Sequence, residues 1–90
     1  MTVRIEQKPT FRRAYKKLHP NPRTDVDQAI RTIISQPETG EEKRGDLHRV
    51  FIHKFDCVNQ LYLLAYEWKA EWRLLLALGL HENFYRNLKR

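Results

Sequence analysis

Ninety residues that are 41% hydrophobic, 31% charged and 11% aromatic specify one domain, residues 1–90, too apolar for intrinsic disorder and too charged for a membrane protein. The longest apolar stretch is broken by Glu67, Lys69, Glu71 and Arg73, well short of the ~20 residues a bilayer span needs. With no secretion-type N-terminal run and a single cysteine, Cys57, the chain reads as a small cytoplasmic domain without a disulfide.

In chain order, Val3 and Ile5 alternate with polar neighbours, which predicts a short half-buried strand. Phe11, Ala14, Tyr15 and Leu18 then recur at helical spacing behind Pro9. Arg12, Arg13, Lys16 and Lys17 therefore fall on the solvent side of that helix. His19-Pro20-Asn21-Pro22 stops it. A second helix is predicted from Thr24 or Asp25, with Val26, Ala29, Ile30, Ile33 and Ile34 on its apolar face, and Pro37 and Gly40 ending it. Three strands are predicted next, Leu47 to Phe55, Leu61 to Trp68 and Trp72 to Leu78, separated by breaks at 56–60 and 69–71 that suit hairpins. A short helix over His81 to Arg90 closes the chain, its end crowded by Arg86, Lys89 and Arg90. The expected fold is α+β: two N-terminal helices packed on one face of a small antiparallel sheet, plus the C-terminal helix.

The net charge is +6, and it is lopsided. Residues 1–23 hold seven of the 17 Lys and Arg and one of the 11 acids, while the rest of the chain balances. Such a segment suggests a polyanionic partner, nucleic acid or acidic protein, although a solvated basic helix face reads the same way.

Little in the chain points to metal or nucleophilic chemistry. No two of His19, His48, His53 and His81 stand at the i, i+4 spacing of a helical zinc pair, Cys57 falls in a predicted hairpin loop without an activating neighbour, and Gly40, Gly45 and Gly79 are too scattered to cradle phosphate. No cofactor or metal is expected. What remains is a basic and aromatic set: His48, Arg49, His53 and Lys54 around the first long strand, and His81 with Tyr85 four residues on. RNA cleavage through its own 2′-hydroxyl needs a base, a cation to steady the phosphorane and an acid for the leaving 5′ oxygen, and these residue types supply all three. A tyrosine ring can also stack on a base. On spacing alone His81 also reads as a helix-start residue, Tyr85 as packing, and His53 and Lys54 as a solvated strand face.

Several segments together carry a resemblance. Lys43-Arg44-Gly45-Asp46-Leu47 enters a strand, His53-Lys54-Phe55 follows, Tyr62-Leu63-Leu64-Ala65-Tyr66 forms a central strand, and Leu78-Gly79-Leu80-His81-Glu82-Asn83-Phe84-Tyr85-Arg86 closes the domain. Over nearly its whole length the chain resembles the RelE/ParE superfamily of bacterial type II toxins, most closely ParE-like toxins ending in H-E-N-F-Y-R, with the His/Tyr spacing of YafQ-like chains. The resemblance implies a cognate antitoxin and one of two targets: mRNA in the ribosomal A site, cleaved by RelE-like and YafQ-like members, or DNA gyrase, poisoned by ParE-like members. An inactive member that only binds antitoxin and operator DNA is a third possibility. For the nuclease, the resemblance implies His81 as general acid, Lys54 or His53 as base or electrostatic stabiliser, and Tyr85 to position a base. Arg12, Arg13, Lys16, Lys17, Arg73 and Lys89 would bind RNA. One departure stands out: RelE has an arginine just after the central-strand tyrosine, and this chain has Leu63 after Tyr62, so Arg73 or Arg86 would have to substitute.

Overall fold

The computed structural model describes residues 2–43 and 49–80. They form β1 (Arg4–Gln7), α1 (Pro9–Lys16), α2 (Pro20–Ser35), a 3₁₀ turn (Pro37–Thr39), β2 (Glu41–Glu42), β3 (Phe51–Cys57), β4 (Gln60–Lys69) and β5 (Trp72–Leu80). The strands make one sheet in the order β1-β5-β4-β3-β2. Neighbouring strands are antiparallel except that β1 runs parallel to β5, so the sheet is mixed rather than wholly antiparallel. The two helices on one face follow the expected α+β plan, and the expected C-terminal helix lies outside the described residues.

α1 buries Phe11, with Ala14, Tyr15 and Leu18 partly covered, as their helical spacing requires. α2 begins at Pro20, four or five residues earlier than its candidates Thr24 and Asp25 predict. Proline has no N–H to leave unpaired in a first turn, so Pro20 can start a helix as readily as it ends the previous one. Val26, Ala29 and Ile33 are the buried face of α2. They meet Leu64, Tyr66, Leu75 and Leu78 of the two central strands in the main core. The helices are joined by the Tyr15 hydroxyl, which donates to Asp27 Oδ1 at 2.6 Å, and by Arg23 lying 5.3 Å over the Tyr15 ring. The opposite face of the sheet carries a smaller cluster of Val50, Ile52, Leu63, Ala65 and Ala77. Two-sided burial explains why β4 and β5 read as nearly continuous apolar runs.

Three expectations change. β1 is an exposed edge strand rather than half-buried, with β5 as its single neighbour in the sheet. β2 is a two-residue strand without any sequence signal. The β3–β4 connection shortens to Val58-Asn59, both at positive φ, the two-residue turn whose twist matches a hairpin. Asp25 stabilises it by accepting the Val58 N–H at 3.1 Å. Cys57 is consequently a strand residue, buried, with its thiol against the Pro22 carbonyl at 3.6 Å and its pKa pushed up by burial.

The link between α2 and β2 is held by one buried phenol. Tyr66 Oη donates to the Pro37 carbonyl at 2.6 Å and accepts the Gly40 N–H at 3.0 Å. A Cβ on Gly40 would stand 2.5 Å from that oxygen, which has no freedom to retreat. Gly40→Ala is therefore expected to cost about 1–3 kcal/mol through overpacking, read as a lower midpoint of urea unfolding. An unchanged midpoint would show that the Tyr66 ring yields.

Candidate functional site: the sheet face opposite the helices

The β3 alternation decides which basic side chain points where. Phe51, His53, Phe55 and Cys57 face the helices; Ile52, Lys54 and Asp56 face the other way. His53 stacks on Phe55 with ring centroids 5.8 Å apart, and Phe55 in turn meets Tyr62 at 6.1 Å. Half-burial among these rings lowers the imidazole pKa, because desolvation disfavours the charged form. Lys54 is exposed. The two neighbours thus lie on opposite sides of the sheet, and a single site can use only one of them.

On its own face Lys54 stands in a cross-strand row with Leu63 of β4 and Gly79 of β5. At ~4.8 Å per strand, the β5 backbone is about 10 Å from that of β3. β5 ends one residue beyond Gly79, at Leu80, and the sequence continues into His81. His81, Tyr85, Arg86 and Lys89 lie outside the described residues, as does His48. Leu63 is fully buried between Lys54 and Gly79, so the apolar departure from the RelE pattern falls directly beside Lys54.

Arg73 does not serve as a replacement cation. It is 4% exposed. Nε donates to Ile33 O at 2.9 Å and Nη2 to Ile34 O at 3.0 Å, while Nη1 donates to Ala70 O and Trp72 O. The guanidinium thereby satisfies carbonyls of the last turn of α2, which an α-helix leaves without partners and whose dipole favours a cation. The expectation that Arg73 contacts RNA is corrected accordingly: its fork is taken up by backbone and turned toward the helices. An arginine at an inward position of an otherwise apolar strand was the available signal.

Arg12, Arg13, Lys16 and Lys17 are all exposed, and none makes an ion pair among the described residues. They lie on the helical side of the molecule, separated from Lys54 by the sheet. The fold therefore presents two basic regions, a helix face and the Lys54 row, on opposite sides.

Residues 5–89 match the family model described as ParE-like toxin of type II bacterial toxin-antitoxin system. The chain belongs to this family. No curated protein is similar enough in sequence to count as a relative. Among solved structures, this toxin is similar to the RelBE2 toxin-antitoxin complex of Mycobacterium tuberculosis, at 20% identity and a TM-score of 0.74, over 90% of this chain and 100% of that one. It is similar to isolated RelE of E. coli at 14% identity and 0.68, over 88% and 84%. The YoeB/ParE toxin of Agrobacterium tumefaciens follows at 10% identity and 0.69, over 88% and 99%. At these identities the likeness establishes a shared fold, in agreement with the α+β arrangement of the toxin described above.

His53 also makes the toxin's stability pH-dependent. Its folded pKa lies below the ordinary value of 6.5, so the unfolded chain binds the proton more tightly. The stability His53 retains when neutral is complete above pH ~6.5 and is lost as the pH falls from there through the lowered folded value. Thermal unfolding of wild type and His53→Phe at neutral pH and at about pH 5 tests this. The acid-induced drop in Tm should shrink in the variant, and an equal drop in both would refute the assignment.

Proposed function

We propose that this toxin is a metal-independent, ribosome-dependent mRNA endonuclease that inhibits translation in the cytoplasm. The observation that supports it most is the register of Lys54 with Gly79 beside the strand end that leads into His81. In this reading a 2′-hydroxyl attacks the neighbouring phosphorus, its proton passing to a general base, while Lys54 steadies the charge growing on the phosphorane oxygens. His81 protonates the departing 5′ oxygen, and Tyr85 stacks on an adjacent base with Arg86 near the phosphate. His53 is left out, because it lies on the other face. The exposed α1 cations Arg12, Arg13, Lys16 and Lys17, with Lys89, contact RNA phosphates. They are also the groups that a cognate antitoxin with an acidic segment would cover, a partner in keeping with the toxin-antitoxin complexes among the similar structures.

A second reading, a gyrase poison without catalysis, is favoured by one specific observation. The position that carries an arginine in RelE is here Leu63, wholly buried, and the matching family model is ParE-like. Pulse labelling of protein and DNA synthesis after induction separates the two. The nuclease stops protein synthesis first, and His81→Ala or Tyr85→Ala relieves the arrest. Arrest of DNA synthesis first, with His81→Ala fully toxic, would establish the gyrase reading instead.

A further inference from the structure

At the far end of the sheet face that carries Lys54, a second cross-strand row joins three strands: Arg4 of β1, Trp72 of β5 and Lys69 of β4. These three, with Thr2, Ala70 and Glu71, line a shallow open depression of about 470 Å³. Trp72 forms part of its wall and is only partly buried. Its one polar atom is satisfied from within the chain: Nε1 donates to Glu6 Oε2 at 2.8 Å. The same carboxylate oxygen receives Arg4 Nε at 3.2 Å. Glu6 thereby ties both the indole N–H and the Arg4 side chain to β1, while Lys69 makes no ion pair among the described residues.

A partly exposed indole with its N–H engaged and the Lys69 ammonium beside it matches the chemistry of an unpaired base with its phosphate. The ring supplies a stacking surface for any base, and the Lys69 ammonium meets the phosphodiester. Glu6 does not oppose this, since Arg4 and the indole already engage it. Glu71 is the remaining carboxylate at the rim and limits the electrostatic share, so stacking supplies most of the affinity.

We propose that the Arg4–Trp72–Lys69 row is a stacking platform for one unpaired nucleobase of a single-stranded nucleic acid, its adjoining phosphate held by Lys69. This extends the reading of the toxin as an mRNA nuclease: along β4 the platform lies about 20 Å from the Lys54 row on the same face, a second hold on the strand away from the cleavage site.

The test uses the full chain and follows the Trp72 indole N–H resonance, assigned by its loss in Trp72→Phe. That signal is local to the platform and insensitive to phosphate binding on α1. A short oligoadenylate should move the resonance saturably, and an abasic phosphodiester of the same length should not. Read by fluorescence anisotropy of a dye-labelled oligoadenylate, since the Trp72 variants lack the indole signal, binding should weaken about tenfold in Trp72→Leu and be largely kept in Trp72→Phe, while Lys69→Gln should lower the salt slope by about 0.7. Equal movement by the abasic chain, an unchanged affinity in Trp72→Leu, or displacement of the oligomer by polyglutamate would overturn the platform, the last in favour of an acidic-peptide site. If Trp72→Leu fails to fold, the comparison of oligoadenylate with abasic chain on the wild type decides. The outcome is separable from the nuclease reading: platform binding can fail while induced cells still stop translation, and it can succeed in a toxin that arrests DNA synthesis.

Discussion

Arg73→Met lowers the unfolding free energy by about 3 kcal/mol, a large part of the ~5–15 kcal/mol available to a small domain. Methionine keeps most of the apolar stem but removes every donor. The Ile33 and Ile34 carbonyls then remain buried beside β5 with no partner, and the unmet desolvation of those groups dominates the loss. Arg73→Lys recovers only part of it, since one ammonium cannot reach both helix carbonyls and the Ala70–Trp72 turn with the geometry of a planar fork. Urea unfolding is the measurement, with the midpoint falling and the slope unchanged. A midpoint that stays put while toxicity vanishes would reverse the assignment and return Arg73 to a role in binding.

If the toxin is the proposed nuclease, Lys54→Ala is expected to reduce toxic activity by about 100-fold, the usual scale for losing one electrostatic stabiliser of a developing oxyanion, and to leave stability nearly untouched because the side chain is exposed. His53→Ala has the opposite profile. It removes a ring stacked on Phe55 from the helix-side core, so it destabilises the fold while the purified protein retains activity at low temperature. Ribosome-programmed cleavage of a defined mRNA by the two variants, with melting temperatures measured in parallel, gives the comparison. Loss of cleavage in His53→Ala with Lys54→Ala intact would place the chemistry on the helical side of the sheet, against the register. Both variants cleaving normally would remove β3 from the mechanism.

The helical period of α1 and the apolar runs of β4 and β5 were legible in the chain because each is a local pattern, repeated often enough to identify one buried face or two. Its cationic helix face was legible for the same reason. The short elements were not. β2 is only two residues long and follows a loop anchored by Tyr66, and β1 lies parallel to a strand more than sixty residues away in sequence. Neither partnership leaves a local trace.

The candidate site divides along the same line. Residue types and their order along the chain were enough to nominate His53 and Lys54 as cations near a sheet, and the family resemblance added Arg73 and marked Leu63 as a departure from the RelE pattern. Which of them share a surface depended on strand register, since a shift of one residue sends a side chain to the other face. Tertiary structure therefore put Lys54 and Leu63 in one row, turned His53 toward the helices and committed Arg73 to the end of α2. Composition and periodicity specify what a segment can bury; only pairing between distant strands decides which charges remain in water together.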